Sequence, residues 1–380
     1  MQIRCRCPRG SGPSPVLVVA QVIGELRIGG AERLFVDLCN ALDVDKTIVV
    51  LIGDSDLQPN LRSELRRDIE VHSVRVRRRT WVKDVWTLSR LFRDAGCDVV
   101  HTHMFWPNLY GSLSARLAGV SAIITSEHGR NEWKRRWHKW LEVNVISRYA
   151  DARLCVSQDI LRMRKDVDGV PEDMLRIVPN GTVVPSLLPR AEHQGTVIGS
   201  VGRLVSAKDY PMMIRAVSIL VSRGVNVKLE IVGEGEEREA IEASIRKEGV
   251  ESEVTLAGSQ TNVSDWLARW RIFVSSSVRE GQPVALLEAM AAGLPCVVTA
   301  AGGVPDTLAD GVEGIIVPPG DPEALADGIQ QLLGDAELSG TYGRAARERV
   351  IRDFSIESLA STCRQIYTSV LRSKAPDLVS

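Results

Sequence analysis

The chain of 380 residues contains no apolar run close to the roughly 20 residues that a membrane-spanning helix requires. It also has no excess of charge of either sign, because its formal net charge is −1. Proteins that bind nucleic acids usually carry a basic excess, so the sequence predicts no nucleic-acid partner. These absences favour a soluble or peripheral protein in which any charge-driven binding is local.

The cysteines lack the pattern of a disulfide framework or a zinc site. They are odd in number, scattered, and show no paired C-x-x-C spacing. The seven positions are Cys5, Cys7, Cys39, Cys97, Cys155, Cys296 and Cys363. Reduced thiols fit this distribution, so we expect a cytoplasmic protein.

The beginning of the chain is basic and rich in proline and glycine, and the apolar stretch Val16 to Ile23 follows it. A signal peptide is the alternative interpretation, but Gln21 interrupts the stretch and no A-x-A-like site follows. We therefore predict a disordered tail over residues 1–15 and then a first β-strand.

Length and an apolar content of 44% suffice for two hydrophobic cores. Short apolar runs alternate with helical patterns, which is typical of βα units on a parallel sheet. This rhythm predicts one Rossmann-like domain over 1–185 and another over 196–355. The segment 186–195, at the end of the proline-containing VPSLLPRAEHQG, is predicted to be the linker and hinge. A final amphipathic helix is predicted around Ile356 to Leu371.

Two glutamates, Glu280 and Glu288, are separated by seven residues. Pro283 can open a helix and Gly293 can close it, so Glu280 is predicted in a loop and Glu288 on the helix. A carboxylate in this apolar helix is costly unless it is hydrogen-bonded. The vicinal hydroxyls of a ribose suit Glu288, and sugar hydroxyls suit Glu280. The alternative is that each glutamate caps a helix or pairs with an arginine.

Two cations follow a predicted strand in GRLVSAKDY, namely Arg203 and Lys208. The carboxyl ends of strands in open α/β sheets are where ligands bind. An arginine fork and a lysine point charge could together stabilise a departing diphosphate. Two solvated loop cations are the alternative.

The segment from Glu280-Gly281-x-Pro283 through Glu288-Ala-Met-Ala-Ala-Gly-x-Pro resembles the paired-glutamate signature of retaining GT-B glycosyltransferases of the large family-4 group. The resemblance runs from the loop at Gly29 to the final helix. It implies an α/β fold of two Rossmann-like domains facing across a cleft. It also implies that the last segment, 356–380, returns to the first domain. A departure is Gln282, which stands where an apolar residue is common and could affect donor selectivity.

The resemblance also implies which residues act. The catalytic set would be His128, at the end of the strand AIITSEHG, with Glu280, Arg203 and Lys208. The loops 233–237 and 258–262 would border the nucleobase. The donor would be held by residues from both domains: Gly29, Gly30, Arg203, Lys208, Glu280, Gly281, Pro283, Val284, Leu287 and Glu288.

The activity implied is transfer of a hexose from a nucleoside diphosphate sugar, with UDP favoured over GDP, to a glycan, lipid-linked or small-molecule acceptor in polysaccharide biosynthesis. The departing phosphate would help to deprotonate the acceptor. A sugar-nucleotide 2-epimerase of the same architecture is one alternative, which would form product from donor alone. A catalytically silent nucleotide-sugar-binding subunit is another, although such a subunit should lose part of the catalytic set.

A metal cofactor is not expected. His101 and His103 form an H-x-H pair, but no third ligand follows at a recognisable spacing. Cations and helix amides could neutralise the phosphates instead. Activity is therefore expected to survive chelation by EDTA.

Tryptophans concentrate in the first half of the chain. Trp133, Trp137 and Trp140 share one face if they lie on a helix, with Arg135, Arg136 and Lys139 off that face. Further arginines occur nearby, at Arg75, Arg77, Arg78 and Arg79. This pattern suits peripheral contact with an anionic membrane or a lipid-linked acceptor. The alternative is that the tryptophans pack on the sheet and the arginines are solvated.

Overall fold

The structure is a computed structural model that describes residues 17–53, 60–77, 79–129, 134–186 and 196–374. The predicted tail over 1–15, Arg78, Trp133 and most of the predicted linker lie outside the described residues. Among the residues described, no helix combines the length and the apolar character that crossing a bilayer requires.

The first half of the chain builds a parallel sheet in the order β3-β2-β1-β4-β5-β6-β7. Its central strands are buried almost throughout because helices cover both faces of such a sheet. The strands are β1 (Val18–Ile23), β2 (Lys46–Leu51), β3 (Glu70–Ser73), β4 (Val99–His103), β5 (Ala122–Glu127), β6 (Ala152–Cys155) and β7 (Leu175–Ile177).

The second half repeats the design with a parallel sheet in the order β10-β9-β8-β11-β12-β13. In both sheets the strand order reverses beside the first strand, which creates the crevice where such folds bind ligands. The strands are β8 (Val197–Val201), β9 (Lys228–Val232), β10 (Val254–Gly258), β11 (Ile272–Ser275), β12 (Cys296–Thr299) and β13 (Gly314–Val317).

Helices connect the strands within each domain, and the predicted two-domain α/β architecture is confirmed. In the first domain they are α1 (Gly30–Ala41), α2 (Trp81–Asp94), α3 (Phe105–Ala118), α4 (Arg136–Leu141), α5 (Ser147–Tyr149) and α6 (Gln158–Arg162). In the second they are α7 (Tyr210–Ser222), α8 (Arg238–Glu248), α9 (Val263–Arg269), α10 (Val284–Ala291), α11 (Val304–Thr307), α12 (Pro322–Gly334) and α13 (Ala336–Asp353).

The last helix, α14 (Ile356–Lys374), returns to the first domain. Its buried face includes Leu359, Tyr367 and Leu371, which join a hydrophobic cluster with residues of β1 and α1 such as Val19 and Leu34. The chain thus crosses between the domains once before β8 and again before α14.

The two crossings are hydrogen-bonded to each other. The Thr182 amide donates to the Phe354 carbonyl and the Ile356 amide donates to the Thr182 carbonyl, both at 2.9 Å. Gly181 lies against the same segment, since a methyl group on it would lie 2.9 Å from the Ser355 carbonyl oxygen. The two crossings therefore meet at a single parallel bridge between Thr182 and Ser355.

Candidate active site

Glycines allow the two domains to approach each other closely. A methyl group on Gly281 would lie 2.4 Å from the carbonyl oxygen of His128, and one on Gly30 would lie 3.4 Å from Cβ of Val284. The first contact joins the loop after β11 to the end of β5, and the second joins the start of α1 to the start of α10. The residues predicted to act therefore come together from both domains.

Glu280 is held in the loop after β11 by two donors. Its Oε1 atom accepts hydrogen bonds from Lys208 Nζ at 2.5 Å and from Ser277 Oγ at 2.6 Å. Lys208 ends a single 3₁₀ turn, after which Asp209 adopts a left-handed conformation and caps α7. Two residues of the predicted catalytic set, Glu280 and Lys208, are thus in direct contact, and the Lys208 side chain remains 22% exposed.

Arg203 is exposed after β8, opposite the first turn of α1. Burial raises the pKa of Glu32 in that turn, and the charge of Arg203 opposes the rise. The Glu32 carboxylate folds back against Gly29, the residue that precedes α1. Gly29, Gly30 and Arg203 therefore border one region in which positive potential from a helix N-terminus and a guanidinium combine.

Glu288 lines an interdomain cavity of about 350 Å³. Thr261 and Asn262 of the predicted nucleobase loop line it too, as do Arg33 and Asp37 of α1. Burial raises the pKa of Glu288 to about 7; Arg33 lowers it and Asp37 raises it further. Burial likewise raises the pKa of Asp37 to about 6. Burial is therefore the main influence on both carboxyl groups, as expected of a site for hydroxyl groups.

The helix that carries Glu288 begins as the sequence predicts, with Pro283 as its N-cap residue and Val284 as its first residue. Leu287, predicted to contact the donor, is fully buried in the core of the second domain. Its side chain therefore packs inside that domain. Gly293 ends the segment in a left-handed conformation.

Gln282 is buried and hydrogen-bonds Asn180 of the first domain. Its side-chain oxygen accepts from the Asn180 amide at 2.6 Å, and its carbonyl accepts from the Asn180 side chain at 2.9 Å. This polar residue fastens the Glu280 loop to the end of the first domain, which accounts for the departure from an apolar residue at this position.

His128 lies at the end of β5 beside Gly281, and burial lowers its pKa while Glu127 and the Asn180 side chain oppose the fall. Its Nε2 atom lies 3.1 Å from Nδ1 of His103. Both nitrogens of His101 are also engaged, with Tyr367 at 2.6 Å and Ser126 at 2.7 Å. The H-x-H pair is therefore built into a buried hydrogen-bond network around His128.

Sequence reasoning missed several residues of this region. Arg33, Asp37 and Tyr367 lie on helices whose patterns look like ordinary amphipathic faces, so no signal marked them. Gln21 did leave a signal, because it is the polar residue that interrupts an otherwise apolar strand and it is fully buried.

A cluster of buried charges beneath His128 was also missed. It balances three acids against three bases: Glu127, Glu142 and Asp168 with Lys134, Arg153 and Arg164. Burial raises the pKa of Glu142, but Arg153, Lys134 and Arg164 outweigh this effect and hold it near 2. The cluster ties β5 and β6 to the helical turn after α6, which carries Arg164, and fixes the strand end that carries His128. Partners far apart in sequence leave no local pattern.

Tryptophans are exposed on the first domain. Trp106, Trp137 and Trp140, which we term the tryptophan patch, are 41%, 50% and 60% exposed. The Trp106 and Trp137 rings lie 6.3 Å apart. The alternative that these tryptophans are buried against the sheet is therefore wrong for the tryptophan patch. Trp81 and Trp86 are similarly exposed on α2, which packs against α3.

Charged neighbours of the tryptophan patch differ in their pairing. Arg135 and Arg136 are exposed at the start of α4. Lys139 instead lies 3.6 Å from Asp168, so its charge is partly neutralised.

Family models match both halves of the chain. Residues 28–184 match the model described as Glycosyltransferase Family 4, and residues 189–349 match the model described as glycosyl transferases group 1.

Individual proteins of known name are similar over different lengths. N-acetyl-alpha-D-glucosaminyl L-malate synthase of Bacillus anthracis is 36% identical over 39% of this chain and 39% of its own length. The lipopolysaccharide core biosynthesis glycosyltransferase LpsE of Rhizobium meliloti is 28% identical over 90% of this chain and 96% of its own. The Anabaena protein HepE, solved with UDP-glucose, superposes with a TM-score of 0.81 at 19% identity, covering 93% of this chain and 100% of HepE.

Proposed function

Because the chain belongs to the glycosyl transferases group 1 family, with the GT-B fold of two facing Rossmann-like domains, we propose that it transfers a hexose from a nucleoside diphosphate sugar with retention at the anomeric carbon. The observation that carries this proposal is the contact of Glu280 with Lys208 in a loop that packs on His128. A UDP-sugar is the favoured donor, since HepE was solved with UDP-glucose.

The donor would lie along the residues of the second domain. Glu288 would accept hydrogen bonds from the ribose hydroxyls in the interdomain cavity. Arg203 and Lys208 would bind the diphosphate together with the amides that begin α1 and α10. Glu280 would then accept from hydroxyls of the donor sugar.

In the proposed reaction the bond between the anomeric carbon and the diphosphate oxygen breaks, and a bond to the acceptor oxygen forms on the same face. The acceptor proton passes to the departing phosphate, whose charge Arg203 and Lys208 stabilise. The first domain presents the acceptor, and closure of the cleft excludes the water that would otherwise hydrolyse the donor.

The test is thermal stabilisation and turnover with a panel of UDP- and GDP-sugars, each with and without candidate acceptors. We expect a UDP-sugar to raise the melting temperature and Glu288→Gln to weaken its binding about tenfold or more. Glu251→Gln, an exposed glutamate of the second domain, is the matched control. Wild-type affinity and turnover in Glu288→Gln would sink the assignment of the ribose site, and product from donor alone would favour an epimerase.

We further propose that the acceptor is lipid-linked and lies at an anionic membrane. The tryptophan patch offers aromatic side chains suited to the membrane interface, and Arg135 and Arg136 offer charge complementarity to anionic lipid headgroups. LpsE is named for lipopolysaccharide core biosynthesis, which supports this acceptor class.

This second proposal predicts salt-sensitive sedimentation with anionic liposomes. Each arginine near the surface should contribute about 1 kcal/mol, so Arg135→Glu with Arg136→Glu should reduce binding at least tenfold and leave donor affinity intact. The control is Arg246→Glu with Lys247→Glu, an exposed basic pair on α8 of the second domain. If the wild type does not bind anionic liposomes at low salt, the membrane proposal is wrong and a soluble acceptor is favoured.

A further inference from the structure

A chain of buried polar side chains links the last helix to His128. Gln21 Nε2 donates to the Tyr367 hydroxyl at 3.0 Å, and Gln21 Oε1 lies 2.9 Å from His103 Nε2. His103 Nδ1 in turn lies 3.1 Å from His128 Nε2. We term these four residues the polar chain. Tyr367, Gln21 and His103 are each at most 2% exposed.

The donors along the polar chain are fixed by its first bond. Because the amide nitrogen of Gln21 donates to Tyr367, its amide oxygen is the group that faces His103, and His103 Nε2 must carry a hydrogen. Burial holds the pKa of His103 well below its usual value, so the ring is neutral and its Nδ1 is an acceptor. His128 Nε2 must therefore donate.

His128 is left with an unprotonated Nδ1. This atom is buried and has no hydrogen-bond partner among the residues that the structure describes. His128 lies beside Asn180, whose side chain opposes the fall in its pKa, and the backbone carbonyl of His128 packs on Gly281, where the two domains meet. An acceptor nitrogen buried at this junction lacks a donor, and a sugar hydroxyl can supply one.

We propose that Gln21 and Tyr367 are positioning residues that act through His103 to hold His128 as its Nε2–H tautomer, so that Nδ1 accepts a hydrogen bond from a sugar hydroxyl in the cleft. The inference rests on the proposed function for the identity of the hydroxyl. The proposal gives α14 an indirect role in the reaction, because its Tyr367 orients Gln21. Burial raises the pKa of the Tyr367 hydroxyl, which keeps it neutral and able both to accept from Gln21 and to donate to His101.

The orientation of one amide decides the direction of the whole polar chain. Turning the Gln21 amide over would make its nitrogen donate to His103, and every donor beyond it would reverse. His128 would then carry its hydrogen on Nδ1 and could not accept from a hydroxyl while neutral. The tautomer of His128 therefore reports the orientation of Gln21 directly.

The experiment is ¹⁵N NMR of the full chain labelled at histidine, with the His128 signals identified from His128→Asn. We expect the Nε2–H tautomer in the wild type. Gln21→Met removes the acceptor of His103, so we expect Nδ1–H to reach at least about a third of the population and kcat to fall about five- to tenfold. KM for the donor should change less than about twofold, because Gln21 is not among the residues proposed to hold the donor. Gln21→Glu can still accept from both neighbours and should restore the wild-type tautomer.

Tyr367→Phe is the second variant, since it removes one hydroxyl from the same core and should shift the tautomer in the same direction. Ser126→Ala is the control, because Ser126 bonds His101 and stands outside the polar chain. An Nδ1–H tautomer in the wild type, or an unchanged tautomer in a folded Gln21→Met protein that binds nucleotide normally, overturns the proposal. The NMR measurement does not depend on turnover. It therefore tests the tautomer of His128 even if the proposed transferase activity is wrong, and the two failures can be told apart.

Discussion

At the scale of residues, the interdomain cavity brings together acidic and basic side chains that affect each other's protonation. Glu288 comes from the second domain, while Arg33 and Asp37 come from the first. In the free protein burial favours the protonated form of Glu288, with a pKa of about 7. Hydroxyl donors favour the ionised form, because they bind a carboxylate more strongly than a carboxylic acid. Binding of a ribose should therefore change the protonation of this residue.

We predict that UDP binding at pH 7 releases about half a proton, since a group with a pKa near 7 is half protonated there. Bound hydroxyls lower that pKa, so affinity should rise with pH through about 7 and level off above it. Calorimetry in two buffers with different ionisation heats measures the proton directly. Glu288→Gln should abolish the release, and Asp37→Asn, a neighbour with a pKa near 6, should retain most of it. An undiminished release in Glu288→Gln would contradict the prediction.

At the scale of elements, two helix N-termini meet across the cleft. Gly30 begins α1 and Val284 begins α10, and their side-chain positions are in van der Waals contact. Each terminus carries a partial positive charge. An anion beside this contact interacts with both helices, which makes the junction suitable for a diphosphate.

We predict that Val284→Asp weakens UDP binding at least about tenfold more than Val284→Asn does, while both variants lose the same apolar contact with the first domain. An aspartate in the first turn stabilises a helix, but its charge repels phosphates that lie within a few ångströms. Melting temperatures and UDP titrations of the two variants separate these effects. Equal affinity in the aspartate and asparagine variants would show that the phosphates lie elsewhere.

The elements themselves were largely predictable from sequence. Strands such as β1 and β12 are short, largely apolar runs that begin after a proline, and Pro283 and Gly293 mark the ends of the α10 segment by their own backbone preferences. The predicted helix over the Trp133 to Trp140 region is shorter in the described residues, where α4 begins only at Arg136. The position of α14 over β1 required a family resemblance, because an amphipathic pattern does not say which core it covers.

Side chains that act at long range were beyond prediction. Gln21 and Tyr367 are 346 positions apart, and nothing in either neighbourhood points to the other. The exposure of Trp137 and Trp140 was equally undetermined, since a tryptophan face suits both a buried core and a membrane interface. Contacts of this kind depend on tertiary packing, which local spacing does not encode.

At the scale of the whole molecule, we predict that Gly181→Ala impairs closure. Its methyl group would lie 2.9 Å from the Ser355 carbonyl oxygen and 3.1 Å from Cα of Ile356, so the two crossings must move apart. We expect a loss of about 1–3 kcal/mol in unfolding free energy and roughly tenfold in kcat/KM, with UDP affinity within about twofold. Gly334→Ala is the control, because no atom lies within 4 Å of the added methyl. Wild-type kcat/KM in Gly181→Ala would mean that this contact does not govern closure.

The paired crossings have a mechanical consequence. The bridge between Thr182 and Ser355 holds the two crossings together at one point, and a rotation of the domains about this point is the relative motion that would disturb its two hydrogen bonds least. Because α14 packs on the first domain, Tyr367, Gln21 and His128 would move together in such a rotation and keep their contacts. Glu280 and Lys208 would move together with the second domain. Each closure of the cleft would then bring together the same two preformed parts of the site, one from each domain, and the bridge between the crossings would guide their alignment.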